Sequence, residues 1–154
     1  HESGSRVVVL LADGMLRCAM YDSAAAFRSG WKRIFIEACK RKPARLRKHA
    51  WRVFVLGPAA SSVIALTLAA GVAQTVVHAA GPGPMLLGAA LAAAAAQGAV
   101  VAWVYRIGGA PIAAAALFPV GSAILARLLW EASADLRARR PITWAGREYV
   151  LEPR

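Results

Sequence analysis

Cysteine, histidine and acidic side chains are scarce in this sequence. Cys18 and Cys39 are the only cysteines, too few for a disulfide framework and without the paired spacing of a zinc site. No cluster of His, Cys and carboxylate has metal-ligand spacing. Eight acidic residues face 19 Lys and Arg, a formal net charge of +11. Between Val53 and Ala126 charge itself is missing, apart from Arg106. The apolar runs thus lack the intramembrane carboxylate or lysine of a proton or ion path, which argues against a transporter or channel. A leader with n-region, h-region and cleavage site is also lacking. The first residue is His rather than Met, and the chain is expected to be a piece of a longer protein.

Apolar residues are abundant. They make up 58% of the chain, with mean hydropathy +0.49, above the half usual in soluble domains. The run that organises the rest is VFVLGPAASSVIALTLAAGVAQTVV, residues 53–77. A bilayer core of about 30 Å needs a helix of roughly 20 apolar residues, so this run is long enough to cross. Trp51 stands at its entrance and RKPARLRKHAWR leads into it, the pattern of a basic cytoplasmic boundary with an aromatic anchor. Spans are expected over residues 51–78, 84–105 and 110–130. In the second, Gly88, Ala92 and Ala96 recur at the spacing that lets helix backbones approach. The connector His78-Ala79-Ala80-Gly81-Pro82-Gly83-Pro84 has no Lys or Arg, so it is expected on the non-cytoplasmic side. The third run is interrupted by Pro119 and Gly121 and is followed by Arg137, Arg139 and Arg140. Three crossings would put two basic ends on opposite sides, against the positive-inside rule. Either that rule fails here or the Pro119 segment is re-entrant.

The flanks carry the polar content. Asp13-Gly14 between two β-prone runs predicts a hairpin over residues 6–12 and 15–21, marginal alone and expected to complete a sheet lying upstream. Asp22 or Ser23 can cap a helix. Over residues 23–50 the chain reads as a basic amphipathic interfacial helix, ended or kinked by Pro43. Phe27, Trp31, Ile34, Phe35 and Ala38 share its apolar face, and Arg28, Lys32, Arg33, Lys40 and Arg41 lie on the others. In the basic tail, residues 132–154, Ile142-Thr143-Trp144 and Glu148-Tyr149-Val150-Leu151 alternate around Ala145-Gly146-Arg147, the pattern of a small hairpin. Because the cations border apolar runs, membrane lipid headgroups are the expected partner, and nucleic acid is not. Glu131 and Asp135 are expected to neighbour Arg127 and Arg139 rather than to act as an acid/base pair.

Two stretches taken together, DGMLRCAMYDSAAAFRSGWKRIF and PITWAGREYVL, resemble the C-terminal part of membrane-bound family 2 glycosyltransferases that act on carotenoid, hopanoid or ceramide-like lipids. Met20-Tyr21 matches the family's M-Y element. Gly30, Trp31, Lys32 and Arg33 match its G-W-x-K/R element, and Trp144, Gly146, Arg147 and Tyr149 its W-x-G-R-x-Y tail. The resemblance implies a mainly α membrane fold: the last hairpin of an α/β GT-A domain (residues 1–22), an interfacial helix, about three transmembrane helices (residues 51–131) and a short C-terminal hairpin. It implies transfer of a sugar from a nucleotide-sugar donor to a membrane lipid at the cytoplasmic face of a bacterial inner membrane. The family's aspartate motifs are absent here, since Asp13 falls in a turn, Asp22 at a helix start and Asp135 in an Arg-rich edge. This chain is therefore expected to hold no cofactor and no catalytic residue, and a divalent Mg or Mn ion is expected in the upstream catalytic domain. Cations such as Lys32, Arg33 and Arg147 would stabilise the leaving diphosphate. Trp31 and Trp144 would stack on a sugar or an isoprenoid-like acceptor, and Tyr149 completes the tail element. The competing expectation is a non-catalytic membrane anchor that binds anionic lipid.

Overall fold

The computed structural model describes residues 23–77, 81–144 and 147–153, with the side chains of residues 143, 144 and 147 left aside. The expected N-terminal hairpin, with Met20-Tyr21, and Gly146 lie outside the described residues. Helix α1 runs Ala24–Ala38. Ser23 caps it, its Oγ accepting from the Ala26 amide at 3.1 Å. Helices α2 (Pro43–Phe54) and α3 (Ala60–Val77) are joined through a π-helical turn, Val55–Ala59. Helix α4 (Gly83–Ile107), a 3-10 helix (Ile112–Leu117) and α5 (Phe118–Arg137) follow. Strands β1 (Ile142–Trp144) and β2 (Arg147–Tyr149) pair antiparallel, with Thr143 opposite Glu148.

The interfacial stretch over residues 23–50, expected to be ended or kinked at Pro43, is divided between α1 and the first turns of α2. Lys40 and Arg41 take φ of 56° and 54°, a left-handed conformation that ends a helix. The Arg41 amide donates to Ile36 O and the Lys40 amide to Glu37 O, so the last carbonyls of α1 are satisfied by the turn. Pro43, whose fixed φ suits a first helical turn, then begins α2 rather than ending α1. From Pro43 to Val77 the helix is continuous for 35 residues, about 52 Å at 1.5 Å per residue. That exceeds a bilayer core of about 30 Å, which leaves its basic first turns outside. The π-helical turn accommodates Pro58, which cannot donate to the ladder and crowds the preceding turn. Gln97 Nε2 from α4 donates to the Leu56 carbonyl at 3.1 Å, and Ser61 Oγ donates to Gln97 Oε1 at 3.2 Å.

Three helical stretches, Pro43–Val77, Gly83–Ile107 and Ile112–Arg137, are long and apolar enough to cross a membrane, consistent with an integral membrane protein. Their large apolar side chains point outward. Leu66 is 70% exposed, Val76 80% and Met85 81%. An apolar surface of that extent is covered by something other than water.

Packing register fixes how the stretches sit against one another. Helix α4 runs antiparallel to α3, with Leu87 against Gly71 and Gln97 against Ser61. Ile107 therefore ends about 15 Å beyond Gln97, near the level of Trp51. Helix α5 runs antiparallel to α2. Ser133 Oγ donates to Pro43 O at 3.0 Å, Trp130 packs on Trp51 and Phe54 at 5.6 and 5.7 Å, and Ser122 abuts Gly57. The start of α5 and the preceding 3-10 helix meet the middle of α3: Ala115, Ala116, Phe118 and Pro119 share a cavity with Ser61, Ile64, Ala65 and Leu68. The third stretch thus dips to the depth of residues 61–68 and returns. It leaves the bundle at the end where α2 enters. The turn into it uses Gly109, at φ 66°, a conformation that favours glycine.

The small-residue stripe on α4 does not make the helix contact expected of it. Ala92 and Ala96 are exposed, and a Cβ on Gly88 would meet nothing within 4 Å. The face turned to α3 carries Gly83, Leu87, Ala90, Ala94, Gln97 and Val101, on the opposite side of the helix at 100° per residue. Close approach occurs instead at Gly71, where a Cβ would lie 2.9 Å from Leu87 Cγ, and at Gly83 against Thr75. The buried core lies at the basic end: Ile36, Cys39, Leu46, Ala50, Leu129, Ala132, Leu136 and Ile142 join α1, α2, α5 and β1.

Candidate membrane-interface site

The candidate residues gather where α1, the end of α5 and the tail hairpin meet. Successive faces of α1 touch successive levels of α5. Phe27, Trp31 and Phe35 face Gly121, Ile124, Leu125 and Leu128 across an apolar cavity of about 260 Å³. One row round the helix, Arg28 and Lys32 reach Glu131 and Asp135. Ala25 and Ser29 come next, sharing a pocket of about 290 Å³ with Asp135, Pro141 and Ile142. Moving around α1 while descending α5 is the geometry of a helix laid across its partner. It turns the aromatic row toward the apolar half of α5.

Lys32 is largely enclosed, its side chain 18% exposed. Nζ donates to Asp135 Oδ2 at 2.8 Å and lies 3.2 Å from Glu131 Oε2. Glu131 also accepts from Arg28 at 2.7 Å and from Arg127 at 3.0 Å, and Asp135 from Arg140 at 3.3 Å. Arg127 is thus the neighbour of Glu131 that was expected. Arg140, not Arg139, is the neighbour of Asp135, and Arg139 instead lies 3.9 Å from Glu152. Four cations share two carboxylates, so the cluster keeps a positive excess. Phosphate-directed cations were expected on this helix, but Lys32 is committed to α5.

Trp31 stands between Phe27 and Phe35, ring centroids 5.8 and 5.3 Å away. Its Nε1 is buried without a hydrogen-bond partner among the described residues. Arg33 places its guanidinium 5.1 Å from the centre of the Tyr149 ring, within cation–π range. The two sequence elements that carry the family resemblance therefore touch, through one residue of each. Trp144 and Arg147 are opposed in backbone register across the hairpin. Their side chains lie outside the described residues.

No family model, no curated protein and no solved structure matches this chain. Among the described residues no group of three His, Cys, Asp or Glu could hold a metal ion. What the arrangement can do is present cations and aromatic rings at the edge of an apolar surface. Sequence reading singled out Trp31 and Lys32 and missed that Arg28, Glu131 and Asp135 form one cluster with Lys32. The available signal was spacing: Arg28 and Lys32 are four apart, as are Glu131 and Asp135, with opposite sign.

Proposed function

We propose that this chain is the membrane region of a family 2 glycosyltransferase that moves a sugar from a cytosolic nucleotide-sugar donor to a lipid held in a bacterial inner membrane. The observation that carries the reading is the Arg33–Tyr149 contact. It joins the G-W-K-R element of α1 to the W-x-G-R-x-Y tail, over a hundred residues later, at the rim of an apolar bundle. Two weak motifs gain weight when they form one surface. Residues 23–153 would hold the lipid at the interface with its hydroxyl toward the donor. That confinement lowers the barrier through orientation. Donor binding, acid–base chemistry and the divalent metal would belong to residues upstream of the described ones.

A second reading is supported by α2. Arg45, Arg47, Lys48 and Arg52 are exposed, with no carboxylate at ion-pair distance among the described residues. Such a face suits a plain anchor on anionic lipid. One experiment separates the two. Membranes containing the longer protein, or residues 1–154 alone, are supplied with labelled nucleotide sugars, metal and total lipid extract. Label enters lipid with the longer protein, and Arg33→Ala lowers that transfer while the protein still inserts. The short chain is silent. Absence of label with the longer protein across the common nucleotide sugars would leave the anchor reading.

A further inference from the structure

Two adjoining pockets between α1 and α5 have Ile124 and Leu128 as common walls. One is the apolar cavity beside Phe27, Trp31 and Phe35. The other, about 200 Å³, is edged by Arg28, Arg127 and Glu131. The geometry points to a binding site for one anionic phospholipid, with its phosphate at Arg127 and Arg28 and one acyl chain in the apolar cavity. This does not rest on the glycosyl-transfer reading.

Charge selects the headgroup. Among the described residues, Arg28, Lys32, Arg127 and Arg140 pair with Glu131 and Asp135 alone, four cations on two carboxylates. Arg127 is 79% exposed along its side chain and Arg28 54%, so each keeps guanidinium N–H groups for a phosphate, which Arg recognises well. A zwitterionic headgroup brings its own cation to this excess and is disfavoured.

Depth selects the tail. Trp130 packs with Trp51 and Phe54, the kind of aromatic belt that sits at headgroup level. From Leu128 to Gly121 the groove runs inward about 10 Å along α5, the direction an acyl chain takes from its phosphate. A cavity of about 260 Å³ is too small for a helix about 10 Å across. A soluble anion would leave it unfilled.

The test uses the full 154-residue chain in detergent, mixed with equal amounts of dioleoylphosphatidylglycerol and dioleoylphosphatidylcholine and examined by native mass spectrometry. The expected result is one retained phosphatidylglycerol in preference to phosphatidylcholine. Gly121→Leu fills the groove; a Cβ there meets nothing within 4 Å, so the fold tolerates it, and the retained lipid is lost. Arg127→Gln, at an exposed site, lowers the preference for phosphatidylglycerol about fivefold, the effect of one cation near an anionic surface. Arg106→Gln, exposed on α4 and lining neither pocket, leaves retention unchanged. Equal retention of the two lipids by the parent chain overturns the proposal, and so does undiminished phosphatidylglycerol on Gly121→Leu. No donor sugar or upstream domain is involved, so failure here is separate from failure of glycosyl transfer.

Discussion

Lys32 and Trp31 are sequence neighbours with opposite surroundings, and each responds differently to substitution. Lys32 bridges two carboxylates on α5 at 2.8 and 3.2 Å. Lys32→Met keeps the stem and removes the charge. It is expected to cost about 1.5–3 kcal/mol, the range for a hydrogen bond to a charged partner, seen as a lower melting temperature in detergent. Arg28→Gln should cost less, because Arg28 is half exposed and Glu131 keeps Arg127 and Lys32. Among the described residues the buried N–H of Trp31 has no partner. Trp31→Phe removes that donor while keeping a ring between Phe27 and Phe35, so stability should hold or rise, whereas Trp31→Ala opens a cavity and lowers it. If the phenylalanine variant melts as early as the alanine one, the indole nitrogen has a partner after all. Cys39 adds a pH dependence. Burial raises its thiol above the ordinary value of 9.0, with Arg45 pulling the other way. The folded state then keeps a proton that the unfolded state loses above pH 9. The stabilisation is fully present below that pH and falls as pH rises through the folded pKa. Stability of the parent chain relative to Cys39→Ala should therefore shrink above pH 9 in matched melts.

At the scale of elements, sequence reading succeeded where the signal is local. Ser23 before an alanine run is a helix cap by itself, and long uncharged runs are helices whatever they pack on. It failed where two elements share a decision. Pro43 can close one helix or open the next, and the left-handed pair Lys40 and Arg41 decides for the second. Nothing in their side chains announces that conformation. The same turn recurs after α5. There Arg139 has φ 50°, the Arg140 amide donates to Asp135 O, and Pro141 follows. Each left-handed non-glycine residue costs about 1 kcal/mol, so Arg139→Gly should raise stability modestly, by thermal melting, unless its contact with Glu152 offsets the gain. Helix contacts were misread for a related reason. A stripe of small residues states that a face can be approached, not that it is. Gly57→Ala drives a Cβ into Ser122 and should loosen the α2–α5 crossing. Gly88→Ala meets open space and should be neutral. Amide exchange in α5 is the readout: faster for Gly57→Ala and unchanged for Gly88→Ala.

At the scale of the whole molecule, the unresolved choice in the sequence was the side on which the chain ends. Hydropathy measures length and apolarity, and residues 112–137 satisfy both, so a one-dimensional pattern cannot tell a crossing from a dip. Depth is set by partners. The Trp51–Trp130 contact at 5.6 Å and the Ser133–Pro43 hydrogen bond hold the end of α5 beside the start of α2, at the basic end. Phe118 and Pro119 meet the middle of α3. With α2–α3 and α4 crossing as a pair, this register predicts a re-entrant third segment. Its 3-10 helix, Ile112–Leu117, packs against α4 and α5, the setting in which backbone outside a regular α-helix is tolerated at membrane depth. The prediction that follows puts both basic flanks on one side, in line with the positive-inside rule, and the connector around Gly81-Pro82 on the other. The check is labelling of single cysteines in sealed membranes, in a Cys18→Ser, Cys39→Ser background, with a reagent that does not permeate. Lys48→Cys and Glu152→Cys should react from the same side, and Gly81→Cys from the opposite side. Reaction of Glu152→Cys together with Gly81→Cys would mean that the third stretch crosses, and the packing register described for α5 would not survive in the bilayer.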